Sequence, residues 1–195
     1  MIDRRSRVSA IAILTLTGLS ACTPIPAPDR SQSDSPGLPP IERGELLPDL
    51  AFVDADGNTI RTADLRGAIV VLTFAAAGAP FADDLLERLA AVEERLAGGH
   101  GASTRFVVFA LGAGSPSADV SWPERRSGWL VLTRPVAQIA DLATRFGVMT
   151  WEEDDGLAHT LRVAVAGPSG RITELLEGLS PWSVEDLLAT VAAAD

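Results

Sequence analysis

Two apolar runs constrain this chain more than anything else in it. Ala68–Phe74 (AIVVLTF) follows an Arg66-Gly67 turn, and Arg105–Leu111 (RFVVFAL) repeats the pattern further on. Neither run alternates polar with apolar residues. Strands written this way are buried on both faces, which happens when helices cover both sides of a sheet. The stretch between them supplies such a helix. Over Pro80–Ala97, Leu85, Leu89, Val92 and Leu96 recur at steps of 4, 3 and 4, and Gly98-Gly99 ends the pattern. Elements of both kinds continue on either side. Leu50–Asp54 and Thr59–Arg61 flank Asp56-Gly57-Asn58, a hairpin signal. Trp129–Leu132 reads as a short strand. Pro135–Phe146 reads as a helix with Val136, Ile139, Ala143 and Phe146 inward. Leu161–Ala166 and Arg171–Leu176 are strands around Gly167-Pro168-Ser169-Gly170. Ser180-Pro181 opens a last helix with Val184, Leu187, Leu188 and Val191 on one face. Strands joined through helices predict an α/β domain, a central mixed sheet flanked by helices.

The first residues read differently. Arg4, Arg5 and Arg7 precede an uncharged stretch, Val8–Ala21, too short to cross a membrane. The stretch ends Leu19-Ser20-Ala21-Cys22. This resembles the lipobox of bacterial lipoproteins, which implies a signal peptide over 1–21, cleavage before Cys22 and acyl chains (palmitate among them) on the mature N-terminus. Two or three such chains hold a domain stably on a membrane where one does not. Residues 22–43 hold six of the thirteen prolines, with Ser31, Ser33 and Ser35, and read as an extended tether. The domain is then 44–195. Thr23, rather than an acid, after Cys22 leans toward an outer-membrane address on the strength of the lipoprotein resemblance.

Composition closes off several functions. All 16 basic residues are Arg, against 26 acids, for a net charge of −10. Residues 1–21 carry three Arg and one Asp, so −10 becomes −12 in the mature chain. Such a chain is no nucleic-acid binder. It is also repelled by anionic membranes, which leaves anchoring to the lipid. Cysteine occurs once, at Cys22. There is no intrachain disulfide, no Cys-x-x-Cys pair and no multi-cysteine metal site, so a thiol oxidoreductase is ruled out.

Several local features coincide with one family. "LLPDLAFVDADGNTIRTADLRGAIVVLTF" (Leu46–Phe74) resembles the opening strands of extracytoplasmic thioredoxin-fold proteins. Further on, Phe146-Gly147-Val148 ends a helix, His159-Thr160 leads a strand, and Gly170 comes eleven residues after His159. That order resembles the SCO/SenC family over about residues 44–195. The resemblance implies a thioredoxin-like fold. It also implies a copper-chaperone-like role on the periplasmic side of a bacterial membrane: one copper held by two cysteines and a histidine, then delivered to cytochrome c oxidase. Here the two cysteine positions hold Ala79 and Asp83, Pro80 stands at the motif's first proline, and His159 is kept. Gly112 and Gly167 replace the aspartates of two further family turns. The rival resemblance, to TlpA/ResA-like reductants, would put its cysteines on Ala79 and Ala82. It expects a proline near Leu161 that is missing.

Copper(I) prefers thiolates, which Ala79 cannot supply. His159 with Asp83, joined by Met149, Asp154 or Asp155, is a candidate site for copper(II) or zinc. The alternative for His159 is a structural hydrogen bond. Asp83 and Asp84 also suit the first turn of a helix. Glu152–Asp155 with Trp151 reads as a solvated acidic loop able to meet a basic partner, and His100 as a loop residue. Trp122, Trp129 and Trp182 read as core or edge packing. The expectation is an SCO-like lipoprotein that is no enzyme. It would act as an assembly or binding factor on a respiratory or envelope partner, or else as a metal carrier using His159 and Asp83.

Overall fold

A computed structural model describes residues 39–97, 104–112, 128–153, 156–179 and 182–194. Cys22, His100, Trp122, Asp154 and Asp155 lie outside them. Leu38–Asp195 form one compact unit. Its elements are β1 (Ala51–Asp54), β2 (Thr59–Arg61), β3 (Ile69–Ala76), α1 (Ala82–Leu96), β4 (Thr104–Leu111), β5 (Trp129–Arg134), α2 (Val136–Arg145), β6 (Thr150–Glu153), β7 (Gly156–His159), β8 (Arg162–Ala166), β9 (Ile172–Glu177) and α3 (Val184–Ala193). Seven strands form one sheet in the order β2-β1-β5-β4-β3-β8-β9, and β6 and β7 form a separate hairpin. The pairs β3–β4 and β4–β5 are parallel; the other pairs of the large sheet are antiparallel. The sheet is mixed, as the sequence predicts.

The two apolar runs are its centre. All eight residues of β3 are buried, and side chains leave it alternately. Val70, Leu72, Phe74 and Ala76 join Phe52, Phe109, Leu132, Ile139, Leu142 and Phe146 in one core under α2. Ile69 and Val71 join Leu85, Leu89, Val92, Phe106, Leu187 and Val191 in a second core under α1 and α3. The result is three layers, helix–sheet–helix.

Several boundaries differ from the sequence reading. The turn after β3 delays α1 to Ala82, two residues past Pro80. Ser183, not Ser180-Pro181, caps α3: its hydroxyl accepts from the Asp186 N–H at 3.2 Å, and the Asp186 carboxylate accepts from the Ser183 N–H at 2.7 Å. Val136, expected inward, is 36% exposed, and Leu142 takes the buried place. Trp151, Glu152 and Glu153, read as part of an acidic loop, lie in β6, and β7 follows from Gly156. Alternation in Thr-Trp-Glu-Glu and Leu-Ala-His around Asp-Asp-Gly was the available signal. The tether also ends earlier than residue 43. Ile41 is buried and its N–H donates to the Arg145 carbonyl at 2.7 Å. The N–H groups of Gly44 and Leu47 donate to the carbonyls of Ile172 and Gly170 at 2.7 and 2.8 Å.

Candidate functional site

The parallel strands β3 and β4 end together at Ala76 and Leu111, and the chain turns there toward the motif positions. Ligand sites of open α/β sheets lie beyond this carboxyl edge. After β3 the chain makes two tight turns. The Ala79 N–H donates to the Ala76 carbonyl at 3.2 Å, and the Ala82 N–H to the Ala79 carbonyl at 3.1 Å. This winding sends Ala79 and Ala82 into the core and leaves Ala77, Gly78, Pro80 and Phe81 exposed. Asp83 and Asp84 follow in the first turn of α1, both exposed, where the helix dipole favours them.

His159 reaches this edge from the β6–β7 hairpin. Its partner across the hairpin is Thr150. The ring is buried, 5% exposed, and both nitrogens are engaged. Nε2 accepts the Ala76 N–H at 3.1 Å, and Nδ1 lies 3.0 Å from the Thr160 carbonyl. A carbonyl only accepts and an N–H only donates, so the proton sits on Nδ1 and the ring is neutral. Burial pushes its pKa below the usual histidine value of 6.5, outweighing the opposing pull of the Thr160 carbonyl. Thr160 completes the clamp. Its Oγ1 accepts the Met149 N–H at 3.0 Å, and its own N–H donates to the Met149 carbonyl at 2.9 Å.

These contacts test the expected copper ligands. The one lone pair His159 could offer a metal, on Nε2, is already given to a backbone N–H. Ala79 offers a methyl group. Asp83 is a solvated carboxylate, and Met149 is exposed at the hairpin's entrance. Among the described residues no group of three or more His, Cys, Asp or Glu side chains could hold a metal ion. The donor set does not fit copper(I), which calls for soft ligands. The geometry instead matches the structural role weighed for His159: it fastens the hairpin to the end of β3.

The remaining candidates fall as follows. Glu152 and Glu153 are exposed on β6 rather than in a loop, and Glu153 accepts the Trp151 indole N–H at 2.8 Å. Trp182 is buried, and Trp129 stacks on Phe106 at 5.2 Å, so both serve packing. Gly167 has a role the sequence reading missed. A Cβ there would stand 2.7 Å from the Ala194 carbonyl oxygen, so the aspartate of the family turn has no room.

A sheet of this order with helices on both faces, and a turn-then-helix at the end of β3, defines a thioredoxin-like fold whose motif turn carries no thiol. Comparison with solved structures agrees. Copper-bound ScoI from Arabidopsis thaliana superposes with a TM-score of 0.65 at 18% identity, covering 77% of this chain and 98% of that one. A SCO1/SenC family lipoprotein from Bacillus anthracis gives 0.62 at 17% identity, covering 77% and 95%. The thioredoxin domain of a thiol-disulfide oxidoreductase from Bacteroides vulgatus gives 0.57 at 15%, covering 80% and 99%. Likeness at these identities establishes the fold. No family model and no curated protein matches the sequence.

Proposed function

We propose that this chain is a divergent SCO-like lipoprotein, anchored through Cys22 on the extracytoplasmic face of a bacterial membrane. It acts there as a binding or assembly factor in copper delivery or cytochrome oxidase biogenesis, without thiol chemistry of its own. One observation carries the reading. A turn, a helix and a histidine-bearing hairpin meet at one edge of the sheet, and Ala79, the residue at the first cysteine position by the family resemblance, is a buried methyl group. What is retained is a scaffold that can dock; what is replaced is the chemistry. SCO-type structures among the fold's matches, the lipobox and the Pro/Ser-rich segment after it support the reading. No helix among the described residues is long and apolar enough to cross a membrane.

The test is affinity purification of the lipidated chain from its own host's membranes. Recovery of an oxidase subunit or a copper-handling protein is expected, and recovery of neither overturns the reading. The competing metal-carrier reading, through His159 and Asp83, is tested by calorimetric titration with copper(I), copper(II) and zinc. Binding weaker than about 10 μM, or unchanged in His159→Ala, is the expected result; tighter, His159-dependent binding would establish a carrier.

A further inference from the structure

Beyond the carboxyl edge of the sheet lie exposed apolar side chains that the core does not account for. Among the described residues five large apolar side chains are exposed, and three lie on the two segments joined by the His159–Ala76 hydrogen bond: Phe81 (65%), Met149 (66%) and Trp151 (46%). Phe81 is the most telling. It is the one described non-glycine residue with positive φ, +62°, in a left-handed conformation that costs a bulky residue about 1–2 kcal/mol. Glycine would relieve that strain and hide the apolar ring. The turn hydrogen bonds through Ala79 and Ala82 hold Phe81 there, facing outward.

The charged residues next to them in the chain are acidic. Asp83 and Asp84 follow Phe81, Glu152 and Glu153 follow Trp151, and all four are exposed. Residues 76–87 and 149–160 contain no Arg. An anionic membrane is repelled by such a rim, and a second copy would set acid against acid.

We propose that Phe81, Met149 and Trp151 form a docking surface for a protein partner whose apolar contact is ringed by Lys or Arg. The acids beside them select it by charge. This rests on the reading of the chain as a docking factor and names the surface and the partner's chemistry.

The test places p-benzoylphenylalanine at Phe81 in the full-length chain, irradiated in the host's membranes. Ala97, exposed beyond the other end of α1, carries the same group as control. A discrete protein adduct is expected from position 81 and not from 97. It should fall at least fivefold between 50 and 500 mM salt, figures on the scale over which screening removes surface charge steering, and fall similarly with Asp83→Asn/Asp84→Asn. Adducts with lipid only, with a second copy only, or with a protein regardless of salt and of the two Asn substitutions overturn the proposal, as does the absence of any adduct. Failure here alongside recovery of an oxidase partner by affinity would discard this surface and keep the function. A salt-sensitive adduct with a protein of unrelated role would do the reverse.

Discussion

At the scale of single residues, His159 decides how the motif edge is held together. His159→Ala removes the acceptor of the Ala76 N–H at a buried position and should cost about 1–3 kcal/mol, read from urea unfolding. The same side chain sets a pH dependence. Its folded pKa lies below 6.5, so the unfolded chain takes up a proton first as pH falls. Its contribution is fully present above about pH 6.5, declines as pH drops below that, and levels off once the folded ring also protonates. The stability gap between wild type and His159→Ala should therefore be wider at pH 7.5 than at pH 5; a gap that widened toward acid would contradict a neutral, buried ring. Gly167 makes a second prediction. In Gly167→Ala the new methyl meets the Ala194 carbonyl at 2.7 Å, so backbone must shift, at about 1–3 kcal/mol seen as a lowered Tm. From the sequence alone, Gly167 was a departure from a family turn; its cause is a contact with a residue 27 positions away.

At the scale of elements, long apolar periodicity was readable and short pieces were not. Leu85, Leu89, Val92 and Leu96 are all buried, because an amphipathic helix on a sheet has one inward face. Val136 misled because it is the first residue of α2, whose buried stripe starts only at Ile139. The β6–β7 hairpin was missed for a physical reason. Four-residue strands with exposed glutamates have no stability of their own, and these two persist through the tertiary clamp of His159 and Thr160. Capping was misplaced by three residues, from Ser180 to Ser183, in the same way. Ser180-Pro181 has the composition of a helix start, but the reciprocal Ser183–Asp186 bonds are what stop the backbone N–H groups from going unpaired. Ser183→Ala should cost about 1 kcal/mol, measured by thermal melting of the full chain.

At the scale of the whole molecule, the domain's packing begins before residue 43, where the expected tether ends. Ile41 and Leu47 are 4% and 6% exposed, and their segment pairs with the start of the edge strand β9. Deleting residues 39–47 should therefore cost about 3–6 kcal/mol, at about 1.5–3 kcal/mol for each buried side chain, whereas a chain starting at Pro39 should melt like one starting at Cys22. The sequence by itself determined the layered α/β core, because two unalternating strands and an amphipathic helix between them can be buried in few other ways. It also determined that the domain carries no cysteine pair, because a count of one cysteine at residue 22 is a property of composition and no fold can add to it. The tertiary structure alone decided what His159 bonds to. A free imidazole and one bonded to Ala76 read identically in sequence, and the difference is a 3.1 Å contact across 83 residues. It alone also tied the segment of Phe81 to the hairpin of Met149 and Trp151 and left Phe81 exposed, because the turns that push an aromatic ring into water are fixed by the burial of Ala79 and Ala82.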